Sequence, residues 1–563
     1  MAPSTVFVQY TGPRIFPEHP VRQWLHALVR SGIFVGLAVL FFSIGYQTDT
    51  DSVNQLVLSG ISLAPEPDGR VGHLHPAIGY LLAQLYRWNA EVSWYALSLV
   101  LAHWLGIASS WLALQRIGGG AWRGGVFWLL LFFVEWPFLQ DLQLTTSSFV
   151  LAQGAVLLLR TADDPKDRPW KDLLLPIGLF AGAALLRWES AFLSALVALP
   201  LFFFQEEKNW AKRLWLGALL LALSFALGLR GLSLDFGKDG HGQEAESVRA
   251  AMVEYADRRY AWTTDNAPRF ARAGWTQNDH HLYRMGFAAD TAVFGPDALL
   301  RLKRAMSEAE ATPLSVRMER AFDVLRAMPP HVERSCLLFL LLVPSVPLED
   351  RRRRTFVGSI FLVLASAMVL SGWFHLPDRI FQPLFAWLVL AGLWLTPPLR
   401  ILGGCYRVIV TLAALWCAFY GVGTAKAASG KTESDYHRWR ASLERLDPWP
   451  DQLYLTTGDH LHRVALPFKR PGDPLLKRFK TLDLGPLSDW PAGQLQLQAF
   501  GIRQLHAEIF SRTNVLLLVP TADQELRDRY LIFLSEHYGL SAQLVRVWDD
   551  PQTGMGAWRV QKN

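Results

Sequence analysis

The sequence is poor in cysteine and in charge. Its three cysteines, Cys336, Cys405 and Cys417, lie far apart in apolar surroundings within 563 residues. None has a second ligand at metal spacing, so disulfide and zinc frameworks are poor readings and buried small hydrophobes the better one. Only 18% of residues are Asp, Glu, Lys or Arg, against about 25% in a typical soluble domain. No nucleotide-binding glycine loop occurs in the hydrophilic C-terminal part. The net charge of +6 is modest and calls for no nucleic-acid partner.

What the chain has instead is apolar residues, 51% of the total, with 23 Trp and 33 Phe gathered into long blocks. A helix needs about 20 such residues to cross roughly 30 Å of hydrocarbon. Eleven candidate spans follow: 27–46, 92–114, 122–139, 142–160, 172–186, 189–204, 213–232, 333–348, 355–373, 379–396 and 402–422. Short neighbours such as 172–186 and 189–204 read as tilted, re-entrant or broken helices. The first apolar run follows about thirty residues, long for a signal n-region, and reads as an uncleaved helix.

Basic residues order the spans. With residues 1–26 cytoplasmic, the inside loops hold Arg116 and Arg123, then Arg160, Lys166, Arg168 and Lys171, then Lys208, Lys212 and Arg213. Arg351, Arg352, Arg353 and Arg354 follow, then Arg400, as the positive-inside bias requires. The expected architecture is an α-helical polytopic protein of the plasma (inner) membrane over 27–424, with extracytoplasmic loops 47–91 and 233–331. A soluble extracytoplasmic α/β domain occupies 430–563: five short β-like runs, and a helix over 522–537 capped by Thr521.

The chemically suggestive residues fall on the extracytoplasmic side. "TDTD" puts Asp49 and Asp51 just after the first span. A carboxylate beside low-dielectric lipid is a better base than one in water, and a pair can instead grip a divalent cation such as Mg or Mn. The bland alternative is that both merely solubilise a helix end. His73 and His75 offer a phosphate contact, a metal site completed by Asp49 or Asp51, or simply the approach to a helix. That helix runs from Pro76 to Trp88 with apolar residues at helical spacing, and it should lie in the interface anchored by Tyr86 and Trp88.

Asp141 sits in a tight turn and is placed to meet Asp49 or Asp51 at the same depth; the small hydroxyl residues after it, Thr145 to Ser148, cap or pack the next helix. Arg187 and Glu189 stand between two apolar halves, where charge is costly. They form either a phosphate-binding arginine with a neighbour or a pair closing a hairpin. His375, Asp378 and Arg379 repeat the theme, and a cation at the start of an outer-facing span runs against the inside bias. In the long loop, Trp275, Asp279, His280, His281, Tyr283 and Arg284 mix aromatics with hydrogen-bonding groups, as a sugar site or a ligand-free helical cap does.

Four stretches together, "TDTD", "PDGRVGHLHPAIGYLLAQLY", "LQLTTSSF" and "LPDRIFQP", resemble the GT-C class of integral-membrane glycosyltransferases over residues 25–425. The resemblance implies a polyprenyl-phosphate sugar donor bound from the outer leaflet and a glycan, lipid or protein acceptor. It implies Asp49 or Asp51 as general base or metal ligand, and Arg379 with Arg187 on the donor phosphate. Two rivals remain: a polysaccharide polymerase or ligase using lipid-linked oligosaccharide, and a lipid or glycan flippase.

Overall fold

The computed structural model describes residues 20–117, 121–161, 171–203, 210–235, 241–254, 257–326, 335, 350–373, 378–395, 404–448, 451–456, 465–469, 473–485 and 491–563. Two bodies stand out, a bundle of apolar helices and a head of short helices on a sheet.

The bundle opens with α1 (Pro20–Phe41), then β1 (Gly45–Tyr46), α2 (Asp49–Ser59), α3 (Pro76–Trp88) and α4 (Trp94–Arg116). Next come α5 (Ala121–Leu130), a π-helical turn over Leu131–Glu135, α6 (Trp136–Gln140), β2 (Asp141–Leu142) and α7 (Leu144–Arg160). The π turn falls just before Pro137, whose ring nitrogen has no proton to donate. α8 (Lys171–Leu186), α9 (Trp188–Phe203) and α10 (Trp210–Asp235) complete the first half. By length and composition, three described helices suffice to cross a membrane, Val21–Phe41, Trp94–Arg116 and Arg352–Trp373, and six shorter helices are also apolar. The expected span 333–348 lies outside the described residues, Ser335 apart.

α4 and α7 meet at glycines. A methyl group on Gly106 would overlap the Val150 carbonyl, and one on Gly154 the Gly106 carbonyl. Small residues let two backbones approach where lipid supplies no hydrophobic drive between helices. α3 begins where the sequence places it: Pro76 needs no N–H partner, and His75 Nδ1 accepts from Ala77 N at 3.2 Å. Its buried stripe is Pro76, Gly79, Leu82, Ala83 and Tyr86. Tyr86 is therefore not a surface anchor. It turns inward, and its hydroxyl accepts from Tyr95 N, while Trp88 stays exposed and stacks on Trp94.

Beyond α10 the chain forms α11 (His241–Arg249), α12 (Ala267–Arg272), α13 (Gln277–Arg284), α14 (Thr291–Phe294), α15 (Pro296–Ala305) and α16 (Leu314–Arg326). α17 (Asp350–Trp373) and α18 (Asp378–Leu395) return to the bundle, and α19 (Gly404–Leu446) is a 43-residue helix leading out of it. Its far end is fastened to the sheet, Arg445 to Asp550 at 2.7 Å and Ser442 to Thr553 at 3.0 Å.

The sheet has the order β4-β3-β5-β7-β6, from β3 (Leu453–Thr456), β4 (Lys480–Asp483), β5 (Val515–Pro520), β6 (Ala542–Asp550) and β7 (Met555–Lys562). β3 runs parallel to β4 and β5, and β7 antiparallel to β5 and β6. α20 (Pro491–Ala499) and α21 (Gln524–Tyr538) accompany it. Asp523, not Thr521, caps α21; Thr521 instead donates to the Gly554 carbonyl. Residues of α11 to α15 share one core with this sheet: Trp275, Phe287 and Phe294 lie with Leu517, Tyr530 and Phe533. The long loop and the C-terminal segment thus build one head.

Candidate functional site

The site begins where the bundle meets the head. β1 and β2 pair in parallel, Gly45 opposite Asp141 and Tyr46 opposite Leu142, which joins the end of the first helix to the turn before α7. Directly after β1, α2 starts with Asp51 in its first turn. Asp51 is only 3% exposed, and its carboxylate accepts from the Thr48 hydroxyl at 2.5 Å, the Tyr95 hydroxyl at 2.7 Å and Leu144 N at 3.1 Å. Burial raises its pKa, while those three donors and the Arg187 charge pull it back down. One acid therefore ties the starts of α2, α4 and α7 together. The side chain of Asp49 lies outside the described residues.

Arg187 sits in the break between α8 and α9, a broken helix as the sequence implies. Its Nη1 donates to Thr145 Oγ1 at 2.7 Å, and Glu189, half exposed, stands 3.8 Å from its Nε. The pair exists, but the firmer tie is to α7.

His73 marks the centre. Its backbone adopts φ +63°, a left-handed conformation that costs a non-glycine residue energy and recurs at functional positions. His73 keeps solvent access. Burial, then the charges of Arg187, Arg249 and Arg379, push its pKa down to about 3. The ring is neutral at ordinary pH and three guanidinium groups share its surroundings. Those three come from the α8–α9 break, the end of α11 and the start of α18.

His75 is not a partner to His73. Its Nδ1 is spent on the cap of α3, and its ring lies against Gly231 and the Arg230 charge, which with burial lowers its pKa. A two-histidine metal site is therefore not formed. Asp51 carries three donors on its two oxygens. Among the described residues, the group of three or more potential ligands is Asp279, Glu536 and His537, in the head.

Asp141 is exposed in β2, and the charge acting on it is Lys431 of α19. Asp279 and His280 are buried in the head. Asp279 is fully buried, closes a capping box with Thr276 at the start of α13, and accepts from His537 Nε2 at 2.8 Å. His280 donates from Nε2 to the Tyr260 carbonyl at 2.9 Å. Trp275 and Tyr283 are core aromatics beside them. The helical-cap reading holds for this stretch and the sugar-site reading does not. His375 lies outside the described residues, as does the Asp378 side chain.

Sequence reading misses Arg249, which stands in a hydrophilic helix with nothing local to single it out. It also misses Tyr95, an aromatic inside an apolar span, as the donor to Asp51.

No protein-family model matches the chain, and no curated protein matches it. Among solved structures the chain is similar to ArnT from Cupriavidus metallidurans bound to undecaprenyl phosphate, at 12% identity, over 95% of this chain and 97% of that one, with a TM-score of 0.42. The same protein in the apo state gives 11%, 96%, 98% and 0.42. The archaeal oligosaccharyltransferase AglB from Archaeoglobus fulgidus, in complex with an inhibitory peptide and a dolichol-phosphate, gives 12%, 95%, 74% and 0.37.

Proposed function

We propose that this protein is a membrane glycosyltransferase of the GT-C type, which transfers a sugar from a polyprenyl-phosphate carrier to an acceptor on the extracytoplasmic face. One observation carries the reading: the charges of Arg187, Arg249 and Arg379, from three separate elements, act together on His73, in a chain rich in apolar helices. Three permanent cations at such a place suit an anion whose tail lies in lipid. Planar guanidinium groups match a phosphate through paired N–H donors, and they stabilise the charge that grows on it as the glycosidic bond breaks. A neutral His73 at the centre adds no charge and offers a hydrogen bond to the sugar or phosphate.

The acid of the first loop takes the acceptor proton. Asp51 already accepts three hydrogen bonds and holds the fold of the loop, so we assign proton transfer to Asp49 and positioning to Asp51.

The test uses the full chain in nanodiscs with a polyprenyl-phosphate sugar labelled in the sugar, following release of the lipid phosphate and transfer to a membrane extract. Replacing Arg187, Arg249 or Arg379 by Ala should each lower turnover by about a hundredfold, as loss of one preorganised donor does. Wild-type turnover in all three variants would remove the phosphate assignment.

A further inference from the structure

A pocket lies in the head. It has a volume of 360 Å³ and is walled by Pro65 of the first loop together with Asp451, Lys480, Gln496, Phe500 and Asn514. That volume falls within the range of about 300–1,000 Å³ usual for ligand sites. Lys480 opens β4, Asn514 immediately precedes β5, and Asp451 comes two residues before β3, so the pocket caps the N-terminal ends of three parallel strands.

The walls are fixed. The Ser62 carbonyl accepts from Thr481 N at 3.0 Å and from Gln496 Nε2 at 3.1 Å, and the Ser62 and Thr481 hydroxyls meet at 2.9 Å. Ser62 is held at φ +62° to do so, and Gly60 at φ +68°, where Pro67 leaves no space for a side chain. Asn514 Nδ2 donates to the Asp451 carbonyl at 3.0 Å. With their amide nitrogens engaged in this way, Gln496 and Asn514 keep their side-chain oxygens as acceptors.

Lys480 is the exception in this satisfied wall. Its ammonium is half-buried, and among the described residues it has no ion pair and no hydrogen bond; burial alone moves its pKa, downward. A half-desolvated cation without a partner is costly, and an incoming anion removes that cost. Phe500 and Pro65 supply an apolar face of the kind that sugar rings stack on, and the amide oxygens accept from hydroxyls.

We propose that this pocket binds an acidic saccharide, its carboxylate or phosphate on Lys480 and its ring against Phe500. The site stands by binding alone, so absence of sugar transfer leaves it untouched. The full chain in nanodiscs is titrated calorimetrically with glucuronate, glucose 6-phosphate, glucose and inorganic phosphate. At least one of the two acidic sugars should bind at least tenfold more tightly than both glucose and inorganic phosphate, which also tells carboxylate from phosphate. Lys480→Met, close in length and shape, should erase that preference without lowering the unfolding temperature. Phe500→Ala should weaken the acidic sugars and leave inorganic phosphate unchanged. Lys562→Met, at the end of β7, should bind as wild type. Equal binding of acidic and neutral sugars, inorganic phosphate binding as tightly as the sugars, or an unaltered Lys480→Met would each overturn the proposal.

Discussion

Two acids that look alike in "TDTD" have different duties. Asp51 is a knot of three hydrogen bonds joining α2, α4 and α7. Asp51→Asn turns one acceptor into a donor facing donors, and should cost about 1.5–3 kcal/mol of stability, the range for a hydrogen bond to a charged group. Asp49→Asn should leave stability unchanged and abolish transfer. Thermal unfolding beside a turnover assay separates them, and a stable Asp51→Asn variant would contradict the knot. The spacing already marks both residues as candidates, but two of the three donors on Asp51 arrive from residues 44 and 93 positions away, which no local pattern encodes.

At the scale of elements, the bundle depends on how closely α4 and α7 approach. Gly154→Val would drive two branches into the Gly106 backbone, where neither helix has a flexible side chain to move aside. Overpacking of this kind costs about 1–3 kcal/mol, and the expected result is a lower melting temperature in detergent. Gly178→Val, where a Cβ meets nothing within 4 Å, is the matched control and should melt as wild type. Helix positions were legible because apolar blocks and flanking Pro, Arg and Lys carry direct physical meaning. The five strands were legible too. Tyr86 was misjudged because the spacing locates an apolar stripe without saying whether lipid or protein covers it.

The whole molecule is joined through its head, where histidines make stability depend on pH. His280 and His506 are buried, and burial pushes each down to about 4. A histidine with a depressed pKa contributes stability that is present above about 6.5 and lost as pH falls towards its folded value. Each therefore removes about 1.4 kcal/mol per pH unit over that window. His537 has the opposite sign: its hydrogen bond to Asp279 raises it, so its contribution is complete below 6.5 and fades as pH rises. Calorimetry should find the head melting at falling temperatures from pH 6.5 to 4.5, two histidines losing while the third is constant. A rising melting temperature over that range would contradict the burial of His280 and His506.

The sequence alone determined that this chain is a set of apolar helices followed by an α/β segment, because hydrophobic runs and their periods act locally. It also marked Arg187 and Arg379 as costly charges with a reason to exist. Only the tertiary structure decided which charges act on one residue, since Arg187, Arg249 and Arg379 influence His73 from three elements that no short window contains. Tertiary packing likewise made Asp279 and His280 part of a core, and merged the long loop with the final segment into one head. Proximity between distant residues is a property of packed surfaces, and pattern along the chain does not carry it.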